Sequence, residues 1–410
     1  MRYTKTEKKL IKAMEQMKII DAHEHLPPEK VRTDAPVDVL VLFAHYTKTD
    51  LIAAGMSPED YQRVVDCGQP LAERWKLFRP FLRHIRYGSY ARPAFIAAKE
   101  FYGCDDINDK TYLKITERMR DMNKPGIYRK ILRKKCKILT ALTQAGRTDY
   151  EGDLLTPLMP LDIHAKPGSA NAVKQKADAL GMTVSSLDDY LAMAKAAIER
   201  WKTERVVGLK TRAEATGNPD RKEAEDLFKK MMDGDASAGN AKPLYDFMKH
   251  RLFDLCADLD LVVAVHAGMW GDFRQLDSEH MITVFPLHPR TRFDLYHMGM
   301  PSVRQTGVIG KNNPNVWLNL CWTHIISPQM TVSALEEYMD MVPMNKIIGF
   351  GGDYSRPVEK VYGHLVMARE SIAAVLGRRV DRGLMSLKEA KALAYQWLYT
   401  NPKELYRLDV

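Results

Sequence analysis

Short apolar runs alternate along this chain with longer stretches in which apolar residues recur at helical spacing. Eight of the short runs read as strands: 18–22, 136–142, 154–161, 205–210, 260–266, 293–297, 315–321 and 346–350. Several are nearly continuous in apolar residues, as in Leu261-Val262-Val263-Ala264-Val265, which is how strands covered on both faces read. The amphipathic stretches between them supply a βα rhythm and hence a parallel sheet. Eight such units are what a (β/α)8 barrel of the TIM type requires. The expected fold class is therefore α/β, with one barrel domain over residues 1–410.

The first two strands are too far apart for a simple βα connection. Residues 27–135 carry helical patterns such as Leu71-Ala72-Glu73-Arg74-Trp75-Lys76-Leu77-Phe78 and Pro93-Ala94-Phe95-Ile96-Ala97-Ala98-Lys99. A structureless stretch of that length is unusual inside a compact domain. We read it as a helical insertion after strand 1, a lid or pocket wall from which His45-Tyr46 can reach down. Residues 168–204 read as a helical crossover, with Ser186-Leu187-Asp188-Asp189 as a helix start. Gly234 to Asn240 reads as a mobile loop, and Ser386 to Tyr406 as helix packed on the outside.

The chemistry gathers at the predicted C-terminal ends of the strands, where βα loops of a barrel open onto one face. Strand 1 runs into Asp21-Ala22-His23-Glu24-His25, whose two histidines are spaced to point the same way. Strand 3 ends near Asp162 and His164, strand 4 at Lys210 with Arg212 beyond it, and strand 5 at His266. Strand 6 ends at His297, strand 7 at Trp322 and His324, and strand 8 at Asp353. Singly, His266 reads equally as a turn residue and Asp353 as a helix cap; their joint occurrence in strand order points to a site. Neutral imidazoles and one carboxylate suit a divalent transition metal, zinc first and manganese or iron next. Such an ion brings the pKa of bound water towards neutrality. A carboxylate beside it moves the proton, a role for Asp353, and a free histidine, His297, can polarise a carbonyl. Arg212 lies on the same strand face as Lys210 and suits a substrate carboxylate, with an ion pair to Glu214 as the alternative. Trp270, Arg292, Trp322, His324 and Tyr354 flank strand ends as further substrate-binding candidates. His45, His84, His250, His280, His288 and His364 have no comparable placement and receive no role.

Composition mainly excludes. The 410 residues are 45% apolar and 28% charged, ordinary for a globular protein. No run approaches the roughly 18 apolar residues of a membrane span. The opening Met1 to Leu10 is charged and amphipathic, so the expected location is cytoplasmic, with no membrane partner. Five scattered cysteines, at 67, 104, 136, 256 and 321, fit reduced thiols better than a disulfide framework. The net charge of +9 concentrates between about 110 and 140 without a nucleic-acid-binding motif. A solvated helical face is the reading, with a small molecule and not nucleic acid as partner.

The His-x-His pair, Lys210, His266, His297 and Asp353, in that strand order, resemble the amidohydrolase superfamily. The strings Phe293 to Pro301, Asn313 to Trp322, Ile325 to Pro328 and Lys346 to Asp353 are similar to one branch of it. That amidohydrolase-related (amidohydrolase-2) branch includes uronate isomerase relatives and the amidohydrolase half of glutamine-synthetase fusions. The likeness covers most of the chain, insertion included. It implies a metal-dependent barrel with His23, His25 and Asp353 as ligands, and His266 as a further one. His297 is implied as a second-metal ligand or catalytic group. Lys210 is implied either as a carboxylated bridge between two metals or as a substrate-contacting ammonium. Homo-oligomers are common in such families. The leading expectation is a hydrolase acting on an amide, lactone or related carbonyl of a small anionic substrate, Asp353 shuttling the proton. The alternatives are isomerisation of a sugar acid or decarboxylation of a carboxylic acid on the same barrel, and a non-catalytic ligand-binding barrel.

Overall fold

The computed structural model describes residues 3–269 and 271–410. Parallel strands occupy eight positions in a ring: β1 (Ile19–Glu24), β2 (Ile138–Thr143), β3 (Leu155–Pro157, continued by Met159–Pro160), β4 (Gly208–Arg212), β5 (Val262–His266), β6 (Arg292–Leu295), β7 (Val316–Asn319) and β8 (Ile347–Ile348). The break in β3 has a chemical cause, since Pro157 and Pro160 have no N–H to donate to the ladder. Leu158 between them still donates to the Thr143 carbonyl at 2.8 Å. The ring closes where the chain after β8 pairs with β1: Ala22 N–H donates to the Phe350 carbonyl (3.1 Å) and Asp353 N–H to the His23 carbonyl (2.8 Å). Among the described residues no helix is long and apolar enough to cross a membrane.

The barrel interior is filled by Ile20, Ala22, Leu142, Leu158, Val262 and Ala264, with Tyr296, Cys321 and Ile348. Leu405, Tyr406 and Leu408 join that cluster, so the segment read as an external helix ends in the barrel's floor. Gly234 to Asn240 also differs from expectation. Ala238–Asn240 is a helical turn, and Gly239 is seated so closely on Gly168 that a Cβ there would lie 2.1 Å from the Gly168 carbonyl oxygen. The crossover forms as two helices, Ala170–Asp178 and Leu187–Thr203. Ser186 caps the second, its Oγ accepting from Asp189 N–H while Asp189 accepts from Ser186 N–H.

Residues 27–135 fold mainly as helices, among them Glu29–Asp34, Thr47–Ala53, Leu71–Ile85, Arg92–Tyr102 and Tyr112–Met122. They enclose their own apolar cluster, which includes Leu40, Phe43, Trp75, Phe78 and Met119. A buried ion pair fastens this unit to the barrel: Arg32 Nη2 donates to Glu359 Oε1 at 2.8 Å, and the Tyr102 hydroxyl donates to the same oxygen. Glu359 opens the long helix Val358–Asp381 that follows β8.

Candidate active site

The strand ends converge as barrel geometry requires. His23 and His25 stand with ring centroids 4.9 Å apart, and both turn Nε2 to Asp353 Oδ1, at 3.2 and 3.3 Å. Donor atoms of His23, His297 and Asp353 all lie within 4.8 Å of one another. His297 follows the end of β6 in a left-handed conformation (φ 61°) that turns its ring into the cluster. Asp353 is also left-handed, φ 61°. Its N–H is bonded to His23, which fixes the carboxylate directly over the first strand.

Protonation matches metal binding. Burial pushes the His23, His266 and His297 imidazoles below their ordinary range, and burial together with Lys210 lowers His25 to about 4. These rings are therefore neutral donors at neutral pH. Burial opposes the charge of Asp353, but His23, His25 and His297 outweigh it and hold the carboxyl well below the usual range. Backbone carbonyls set the tautomers: His25 Nδ1 lies 2.7 Å from the Gln144 oxygen and His297 Nδ1 2.9 Å from the Cys321 oxygen. Both arrangements leave Nε2 with its lone pair. His297 Nε2 in turn lies 3.1 Å from His266 Nδ1. The donor set fits one divalent ion.

Lys210 projects from β4 into the same space, its Nζ 3.1 Å from His23 Nε2 and 5.4 Å from the Tyr296 ring centre. Burial lowers its ammonium to about 8. Tyr46, from the insertion, donates its hydroxyl to Asp353 Oδ1 at 3.0 Å. Burial, with Asp353 beside it, raises that phenol far above its ordinary range, so it keeps its proton. A cavity of about 1500 Å³ opens above these groups, lined among others by His25, Tyr46, Lys210, Arg212, His266 and Asp353.

Two acidic residues of the opening motif act from beneath. Asp21 Oδ1 accepts from Gly352 N–H at 2.9 Å and Glu24 Oε2 from Tyr354 N–H at 2.6 Å, so they hold the backbone on either side of Asp353. Gly352 leaves room for Glu24, since a Cβ there would lie 1.8 Å from Glu24 Oε1 and displace that carboxylate. Burial raises Asp21 to about 7 and Glu24 well above its usual range. The sequence reading assigned neither residue a role. Their signal was two acids on a strand that has no exposed face.

Other expectations are redistributed. Arg212 stands at the cavity rim, 67% exposed and 3.9 Å from Glu214. Arg292 is the first residue of β6, level with Val262 at the opposite end of the barrel, where it pairs with Asp260 at 2.9 Å. It is not a pocket residue; a strand's first residue faces the floor. His324 is fully buried with Nε2 on the Gly349 carbonyl, and Tyr354 is buried against Trp322. Both lie behind the wall. Trp322 is buried as well and backs the cavity wall through Tyr46, its ring 4.4 Å from that of the tyrosine. His164 packs on Trp201, while Asp162 reaches the cavity and accepts from Tyr245. Trp270 lies outside the described residues.

A family profile described as amidohydrolase matches residues 169–408. The uronate isomerase of Caulobacter vibrioides is 22% identical over 97% of this chain and 91% of its own. Among solved structures, uronate isomerase from Thermotoga maritima superposes with a TM-score of 0.79 at 17% identity, covering 98% of each chain. Glucuronate isomerase from Caulobacter crescentus gives 0.78 at 19% identity, covering 99% of this chain and 94% of that one. At these identities the structural likeness establishes the barrel fold.

Proposed function

Because the chain belongs to the amidohydrolase family, whose profile spans more than half of it, we propose that it is a metal-dependent sugar-acid isomerase. Its substrate would be an open-chain hexuronate, interconverted between aldose and ketose. The observation that carries this reading is the second proton-bearing group on Asp353: the Tyr46 hydroxyl at 3.0 Å. Hydrolysis, the leading expectation from sequence, asks for one base and a water, and leaves Tyr46 without a task. Isomerisation moves a hydrogen between neighbouring carbons and another between their oxygens, so it uses two groups. The end-to-end likeness to uronate isomerases supports the same choice.

His23, His25, His297 and Asp353 would hold one divalent ion, zinc first and manganese or iron next; when bound, it supplies Lewis-acid polarisation of the substrate carbonyl. The chain's own residues handle the rest. Asp353 takes the proton from the carbon beside the carbonyl and returns it to the former carbonyl carbon. Tyr46 donates a hydrogen bond to the oxygen whose charge grows, while the hydroxyl proton passes from one oxygen to the other. The Lys210 ammonium, itself buried beside His23, balances that charge. Arg212, at the rim, receives the substrate carboxylate through its guanidinium fork.

Incubating the zinc-loaded protein in D2O with glucuronate and galacturonate and, in parallel, with a sugar lactone and a simple amide tests the reading. A ketose is expected by NMR, with deuterium on the carbon that gains the proton in the share of turnovers in which Asp353 exchanges with solvent before returning it. Unchanged hexuronates alongside a hydrolysed lactone or amide would overturn isomerisation in favour of hydrolysis.

A further inference from the structure

One helix, Lys242–Asp258, holds the loop after β4 at four points. Lys242 Nζ donates to the Ala215 carbonyl (2.5 Å), Lys249 Nζ to Thr216 Oγ1 (2.9 Å), and Gly217 N–H to Asp246 Oδ2 (2.8 Å). The fourth contact places His250 Nε2 2.9 Å from the Gly217 carbonyl. This loop continues the strand that brings Lys210 and Arg212 to the cavity, and it carries Glu214 to the same wall. The His250 contact continues inward. His250 Nδ1 lies 2.7 Å from His288 Nε2, and His288 Nδ1 lies 2.7 Å from Asp254 Oδ1.

Hydrogen-bond chemistry sets the proton count of this chain. The Gly217 carbonyl can only accept, so His250 Nε2 carries a hydrogen. The Asp254 carboxylate also only accepts, so His288 Nδ1 carries one too. Between the rings a third hydrogen is needed, and two neutral imidazoles hold only two. We propose that His250, His288 and Asp254 form a clasp that closes only with one extra proton, and that this clasp positions the 213–217 loop at the cavity rim.

Burial pushes the His250 imidazole below its ordinary range, and the Asp254 carboxylate, 2.7 Å from His288 Nδ1, supplies the counter-charge at the other end of the chain. The charged groups around the pair come mainly from the helix itself. Asp246 and Lys249 act on His250, and Arg251 pairs with Asp254 at 2.5 Å. From the loop, Glu214 acts on Lys249. The His288 side presents the Phe253 ring, and Asn315 donates to the His288 carbonyl. When the proton leaves, one of the three bonds is lost and two acceptors face each other.

Asp254→Asn separates the proton from the contact. A side-chain amide can donate to a neutral His288, so all three bonds close without the extra proton. Two readouts independent of any substrate apply to the intact protein: ring-nitrogen NMR of ¹⁵N-histidine-labelled samples, and hydrogen exchange of residues 213–217 corrected for the intrinsic effect of pH. In the wild type, the His250–His288 pair is expected to carry three ring hydrogens at the acid end of the pH range and two at the alkaline end. Over that interval loop exchange should rise about tenfold, the loss of one charge-assisted hydrogen bond. Asp254→Asn should show a flat profile, and His288→Leu fast exchange at both ends. A pair holding two ring hydrogens throughout would overturn the proposal. So would an Asp254→Asn profile that rises as steeply as the wild type, even if His288→Leu fails to fold.

Discussion

Tyr46 and Asp353 share the proton work of the proposed reaction, and each should leave a different trace when removed. Asp353→Asn is expected to lower kcat by about 10³-fold or more, because it removes the base and one ligand oxygen charge. Tyr46→Phe should lower kcat by about 10²-fold with KM and bound metal unchanged. Steady-state kinetics beside elemental analysis separates the two; a Tyr46→Phe protein with full kcat would remove the tyrosine from the chemistry. A second residue-scale effect concerns Asp294, buried on β6 and bonded by Asn319 (2.8 Å) and Tyr406 (2.7 Å). Burial raises its pKa from 3.8 to about 7. Between those values the folded protein keeps a proton that the unfolded chain has lost, so stability falls as pH rises across that window and levels off above it. Asp294→Asn should abolish this slope, read as the difference in Tm between variant and wild type from about pH 4 to about pH 8.

At the scale of elements, the helical insertion is bound to the barrel by the packing of Arg92–Tyr102 on Val358–Asp381 and by the buried Arg32–Glu359 pair. Arg32 and Glu359 are 2% and 0% exposed. Arg32→Leu would strand the Glu359 carboxylate inside, at a cost of about 3 kcal/mol or more in urea unfolding. Because the helix Glu29–Asp34 leads into the segment bearing Tyr46, the same change should depress kcat more than metal content. All eight strands were legible in the sequence because parallel strands covered on both faces leave continuous apolar runs. That His23, His25, His266, His297 and Asp353 would meet was legible because barrel order turns distant strand ends into neighbours. The expected ligand His266, however, stands against His297, and it is His297 whose donor atom groups with His23 and Asp353. Arg292 failed because proximity to a strand in sequence does not say which end it occupies. His324 and Tyr354 failed because helices and loops turn side chains away from the axis that their strand sets. The 213–217 clasp was invisible, since its members meet only through tertiary packing of a helix against two loops.

At the scale of the whole molecule, the proposed ion would tie stability to occupancy of the cluster of neutral histidines around the ionised aspartate. Dialysis against a chelator is expected to lower Tm, and zinc to restore it. The linkage is worth about 4 kcal/mol when free metal exceeds Kd a thousandfold. Scanning calorimetry of the stripped and reloaded protein checks this; identical curves would deny the site a structural ion. The fold itself is a closed ring whose floor is sealed by Leu405, Tyr406 and Leu408, so ligand access is confined to the end where Asp353 lies.

The hydroxyl that meets Asp353 belongs to the insertion, while the carboxylate and the histidines belong to the barrel. In evolutionary terms the two can change separately wherever the Arg32–Glu359 contact is kept or replaced as a pair. A lineage that rebuilt residues 27–135 and lost Tyr46 would keep its ion and its base, and with them the equipment for attack by water. The boundary between isomerase and hydrolase in such a chain would then be crossed by exchanging one module, with the ancestral barrel left as it was.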